Sequence, residues 1–260
     1  MKQLLTSLSL LSCLFLVQVN CRIGTRIVGG NVAKEGQFPF AALLTIETEG
    51  FVFVCGGALL NEEWVLTSGT CTNNIVNVTV SLGSTSRDEN DPNRVTVVST
   101  VVVPHPDFNP DQILNDIGLV KLSEAVEFSD YVQPIKLATI NLPNILHPTV
   151  VGWGQTADDS DPATDLQYAQ LNILTNEECQ LIYGSQIVDN MVCLNGNNKE
   201  STCYDDSGSP LVVRPIGASS LQIVGVSSFF SGNGCEIGEP SGFTRTYPYL
   251  DWINSVLQEA

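Results

Sequence analysis

The sequence is short of positive charge. Eleven Lys and Arg stand against 28 Asp and Glu over 260 residues, a formal net charge of −17. A surface of that sign repels phosphate backbones and anionic headgroups, which argues against nucleic acid and membrane surfaces as partners. Histidine is scarce: His105 and His147 are the only two, each followed by a proline. Proline-flanked loops read as structural or solvent-facing positions, away from a cleft. No Cys-x-x-Cys pair occurs and both histidines lie far from the cysteines, so neither a zinc site nor any cofactor is expected. No repeat of 20–50 residues is visible. The one long apolar run, Leu4–Val19, is broken by Gln18 and is short for a bilayer span.

That run follows Lys2 and precedes small residues around Val19-Asn20-Cys21, the layout of a secretory signal peptide over residues 1–21. The chain is therefore expected to be secreted and extracellular. Residues 22–26 read as a short pro-segment. Residues 1–26 hold Lys2, Arg22 and Arg26 and no acid, so the remainder sets eight basic residues against 28 acids, a net charge of −20. Two of the eight cysteines, Cys13 and Cys21, lie in the signal. The other six, an even number in a secreted chain, read as disulfides with 15 possible connectivities.

The body of the chain alternates β-rich runs with turns. Phe40–Ile46, Phe51–Leu60, Trp64–Ser68, Val76–Leu82 and Val95–Val103 form one set. Val120–Leu122, Thr149–Trp153, Leu166–Leu174, Met191–Leu194, Leu211–Val213 and Leu221–Phe230 form a second, separated by Gly, Pro, Asn and Asp. Only two helices are predicted. Thr175-Asn176-Glu177-Glu178 is a capping box whose helix ends near Gly184. At the C-terminus Tyr249, Ile253, Val256 and Leu257 share one helical face, read as a docking surface. Asn77-Val78-Thr79 is an N-glycosylation sequon within a predicted strand, and the acidic stretch Asp88–Asn93 reads as a surface loop. Its acids alone do not establish a calcium site.

Several stretches resemble the chymotrypsin-like (trypsin-fold) serine proteases, in that family's order. They are Ile27-Val28-Gly29-Gly30, Cys55-Gly56-Gly57-Ala58-Leu59, Asn115-Asp116-Ile117-Gly118-Leu119, Gly152-Trp153-Gly154 and Cys203-Tyr204-Asp205-Asp206-Ser207-Gly208-Ser209-Pro210. Near Gly234-Cys235-Glu236, Phe243-Thr244-Arg245 and Leu250-Asp251-Trp252-Ile253 the likeness is to the arthropod chymotrypsin and collagenase branch. The resemblance implies an all-β fold of two six-stranded antiparallel barrels with a C-terminal helix. The protease domain would occupy 27–260, with barrels over 27–123 and 124–245 and the helix over 246–260. It also implies the disulfides Cys55–Cys71, Cys179–Cys193 and Cys203–Cys235. Cleavage after Arg26 by a trypsin-like protease would free the Ile27 amine to pair with Asp206.

By the same resemblance Ser207 is the nucleophile, Asp116 the orienting carboxylate and Ser228 a serine bonded to that carboxylate. The family places a histidine where this chain has Thr70, in Leu66-Thr67-Ser68-Gly69-Thr70-Cys71. A hydroxyl is far too weak a base to deprotonate serine near neutral pH. Two residues before Ser207, the oxyanion-hole glycine is replaced by Asp205, whose side chain disfavours a glycine-like backbone and whose charge opposes an oxyanion. Ser201, Phe230 and Ser241 stand where the family builds its specificity pocket, and Ser201 is not the acid of a Lys- or Arg-preferring enzyme. The sequence thus predicts a secreted serine protease homologue that has lost hydrolysis and works, as a monomer, by binding a protein or peptide. The alternative is a secreted digestive endopeptidase of weak or unconventional activity.

Overall fold

A computed structural model describes residues 27–87, 90–141, 146–195 and 200–259. The expected signal peptide and pro-segment, with Arg26, lie outside the described residues.

In the first half of the chain the strands are β1 (Asn31–Val32), β2 (Ala41–Glu47), β3 (Val52–Asn61), β4 (Trp64–Thr67), β5 (Asn77–Leu82), β6 (Val95–Ser99), β7 (Val101–Pro104) and β8 (Gly118–Lys121). All but β1 join one antiparallel sheet, ordered β6-β5-β2-β3-β4-β8-β7. Strict alternation along β5 buries Val78, Val80 and Leu82. Register sets Leu44 and Ile46 of β2 opposite Val80 and Val78, so one face becomes core.

The second half supplies β9 (Lys136–Leu137), β10 (Thr149–Gly152), β11 (Gln167–Gln170), β12 (Asn172–Leu174), β13 (Met191–Asn195), β14 (Pro210–Val213), β15 (Gln222–Phe229) and β16 (Ser241–Arg245). With β1 they form a second sheet, ordered β1-β11-β10-β14-β15-β16-β13-β12, while β9 lies parallel beside β15. Both sheets curl, and an apolar core holding Phe40, Leu66 and Leu119 together with Val151, Trp153 and Val212 joins them. The fold is all-β, as expected.

The expected six strands per sheet appear as seven and nine, because two long runs are each divided and two two-residue strands join the second sheet. The run Val95–Val103 breaks at Thr100, where the Ser99 hydroxyl bonds both the Lys121 carbonyl and the Val101 N–H. Leu166–Leu174 breaks at Leu171, whose N–H leaves the ladder for the Pro148 carbonyl. Rejoining these halves and setting aside the two-residue β1 and β9 leaves six in each sheet.

The helix α1 (Asn176–Tyr183) carries the full capping box, with Thr175 and Glu178 each satisfying the other's backbone N–H. The C-terminal α2 covers Leu250–Gln258, later than residue 246, because a 3₁₀ turn over Tyr247–Tyr249 precedes it. Its Ile253, with Tyr249, is buried in the core between the sheets, and Val256 and Leu257 pack on the same surface. The predicted docking face is the one used.

Candidate functional site

The three disulfides are Cys55–Cys71, Cys179–Cys193 and Cys203–Cys235. The first ties β3 to the 3₁₀ turn Thr70–Thr72 that follows β4. Two threonine bonds, from Thr72 Oγ1 to the carbonyls of Gly69 and Ser68, pin the same turn. A Cβ at Gly69 would lie 2.7 Å from the Phe108 ring, so a larger residue there requires that ring to shift. This turn leaves Thr70 exposed to solvent.

Asp116 sits just before β8 and is fully buried. Its Oδ1 accepts the Thr70 N–H at 2.7 Å and the Thr70 hydroxyl at 3.0 Å. Its Oδ2 accepts the Ser228 hydroxyl at 2.6 Å. Burial pushes the carboxyl up from its ordinary range, and these donors oppose that shift. Thr70 therefore donates twice to one oxygen of Asp116. Its hydroxyl is too weak a base to take a proton from a serine near neutral pH.

Ser207 belongs to the loop Cys203–Ser209 that leads into β14. No side chain among the described residues hydrogen-bonds its hydroxyl. Both histidines are engaged with other groups. His105 packs edge-on against Tyr249 and Trp252, with ring centroids 5.1 Å and 4.9 Å away, and its Nδ1 accepts the Asp107 N–H. Burial among those rings lowers its pKa. His147 is exposed and its Nδ1 lies 2.9 Å from Asn172 Oδ1.

Asp205 has φ +69°, a left-handed conformation that favours glycine. The loop thus keeps a glycine-like backbone and carries the side chain under strain. That carboxylate, half-buried, lies 4.0 Å from Arg87 Nη1. Burial raises its pKa and Arg87 opposes the rise. Arg87 was not singled out by the sequence, because an arginine in a polar loop between two strands carries no local mark of a partner so far along the chain.

Asp206 is buried completely, its two carboxylate oxygens accepting the N–H groups of Gly154 and Cys203, each at 3.0 Å. No cation pairs with it among the described residues, and burial pushes its pKa up to about 7. The Gly152-Trp153-Gly154 motif has its reason here: a Cβ on Gly154 would fall 2.3 Å from the Asp206 carboxyl carbon. Ile27 is also fully buried, and Val28 bridges to Ser201, so the start of the described chain lies against the segment leading to this loop.

Where the pocket was expected, Ser201 and Ser241 are nearly inaccessible and share a hydrogen bond of 2.8 Å, and Ser241 also accepts the Thr202 N–H. Phe230 packs on Cys203, Cys235 and Val28, its ring meeting that of exposed Tyr204 at 4.8 Å. Tyr204 is a second residue the sequence did not single out. Asn77 opens β5 and its amide nitrogen, the atom a glycan would take, donates to Glu47 at 2.6 Å. Ser209 has a buried hydroxyl with no partner among the described residues.

Two curled antiparallel sheets and this disulfide set define the class, and residues 27–253 match the Trypsin family. The chain belongs to that family. It is 37% identical over 235 residues to a collagenase of Hypoderma lineatum, covering 88% of this chain and 86% of the relative. It is 32% identical over 232 residues to brachyurin of Leptuca pugilator, covering 88% and 97%. The solved structure of HL collagenase superposes with a TM-score of 0.80 at 35% identity, over 89% of this chain and 98% of that one.

Proposed function

We propose that this chain is a secreted serine protease homologue that does not hydrolyse peptides and acts by binding a protein or peptide in the cleft between its sheets. One observation carries the reading: Thr70 occupies Asp116 with both its N–H and its hydroxyl, and no side chain among the described residues hydrogen-bonds the Ser207 hydroxyl. Loss of the imidazole base in a serine hydrolase costs about 10⁶ in turnover. Asp205 adds to this, because it puts a charged side chain on the backbone position two residues before Ser207, although that carboxylate is turned toward Arg87.

A second reading, an endopeptidase of weak activity, is favoured by the names of the relatives and by the glycine-like backbone kept at Asp205. The test is incubation of the chain, cleaved after Arg26, with a serine-reactive phosphonate and a chromogenic peptide. The binding reading expects no labelling of Ser207 and no turnover above buffer. Rapid labelling would establish the endopeptidase. The same relatives support an extracellular location, as the predicted signal peptide does.

A further inference from the structure

A polar groove of about 510 Å³ lies on the face of the first sheet opposite Leu44 and Ile46, and at Leu43 it borders the core between the sheets. Leu43 and Thr45 of β2, Thr79 and Ser81 of β5 and Thr96 of β6 form its floor. They share a face because register sets Leu43 against Ser81, Thr45 against Thr79 and Ser81 against Thr96. Arg87 and Arg94, from the β5–β6 connection, close one end. Thus two of the eight basic residues outside 1–26 face one cavity in a chain of strongly negative charge.

The fold leaves both guanidinium groups largely unspent. Arg94 donates from Nη2 to the Ser86 carbonyl, while its Nε is buried without a partner among the described residues. Among the described residues the Arg87 guanidinium has only the loose contact with Asp205 at 4.0 Å, which is weak at that exposure. Its main chain is fixed by an N–H bond to the Thr164 carbonyl, so the charge is held at the groove from the second sheet.

We propose that this groove is an anion site that takes the carboxylate side chains of an extended acidic polypeptide segment. Two guanidinium groups beside strand hydroxyls suit carboxylates, which accept several hydrogen bonds at once. The same face continues into apolar residues. Val98 lies opposite Thr79 and is 53% exposed, and Val52 lies opposite Glu47 and is 63% exposed. Glu47 at that far end repels acid, so the segment is oriented with acidic residues at Arg87 and Arg94 and apolar ones at Val98 and Val52. A sulfated polysaccharide fits less well, because its charges run along its whole length and would meet Glu47 and the exposed apolar Val98 and Val52 at the far end. The site lies outside the cleft, and the proposal holds whether or not the chain hydrolyses peptides.

The test is fluorescence anisotropy at low ionic strength on the full chain. The probes are a capped peptide of consecutive Glu followed by Val, its Gln analogue and a heparin-derived oligosaccharide. The Glu peptide should bind saturably and weaken with salt, and the Gln analogue should not bind. Arg87→Gln and Arg94→Gln should each weaken the Glu peptide by about tenfold, the loss of a charge-assisted contact, with Arg94→Lys falling between. Arg87 lies on a surface loop, so its variant carries the test if Arg94→Gln melts early. Asp205→Asn removes the internal competitor for Arg87 and should bind as tightly as the parent or more tightly. Equal binding of the Gln analogue, unchanged affinity in Arg87→Gln, weaker binding in Asp205→Asn, or preference for the oligosaccharide would overturn the proposal.

Discussion

Removing the donors to Asp116 one at a time separates the two sides of that carboxylate. Ser228→Ala deletes the side-chain donor to Oδ2, at 2.6 Å, from a position only 8% exposed. The oxygen left behind has no solvent to turn to, so the full cost of an unsatisfied charged acceptor applies, about 2–3 kcal/mol. Thr70→Val keeps shape and deletes only the hydroxyl at 3.0 Å. The Thr70 N–H stays on the same Oδ1 at 2.7 Å, and Thr70 is exposed, so water can replace the hydroxyl. About 1 kcal/mol is expected.

The pH dependence follows from the raised pKa of buried Asp116, above an ordinary value of 3.8. An acid that holds its proton more tightly in the folded state costs stability as pH rises through the folded pKa. Below 3.8 both states are protonated and the group contributes nothing. Losing a donor raises the folded pKa further. Each deficit should therefore be full at alkaline pH and shrink toward acid. Urea denaturation of both variants at pH 5 and pH 8 measures this. The reasoning fails if Thr70→Val costs as much as Ser228→Ala, or if the deficits do not fall at the lower pH.

Asp206, pushed up to about 7, gives the uncleaved chain the same sign: its stability should fall as pH rises from about 4 past 7. Cleavage after Arg26 supplies an Ile27 ammonium, which should remove or reverse that slope and raise the melting temperature at pH 8. An identical thermal profile for a fully cleaved chain would count against the pairing. Asp205→Gly should stabilise the loop by about 1 kcal/mol, because glycine accepts φ +69° freely and the lost contact with Arg87 is worth less. Chemical denaturation checks it. Thr70→His alone should gain weak ester hydrolysis, and adding Asp205→Gly should raise turnover by about 10²–10³, the worth of one oxyanion donor. A cleaved, folded double variant that neither hydrolyses ester nor labels at Ser207 would show that other parts are missing.

Much of the fold could be read locally. Alternation along Asn77–Leu82 needs only a two-residue period and one buried face, and Thr175 with Glu178 forms a cap within four residues. The breaks at Thr100 and Leu171 could not, because Ser99 and Leu171 bond to Lys121 and Pro148, which no local pattern indicates. At the site, Thr70 and Asp205 stood out because motifs on either side set their register.

The residue types were enough to show which chemistry is missing, since a threonine hydroxyl is no base wherever it is placed. What those residues do instead was decided by the tertiary structure. Thr70 and Ser228 converge on Asp116 only when the turn after β4 meets β15, across sequence separations of 46 and 112. Arg87 faces Asp205 only because the β5–β6 connection folds against the second sheet. Contacts of that range depend on how the two sheets pack. Local sequence carries the period and the caps, and the assembled core determines which distant groups share a charge or a hydrogen bond.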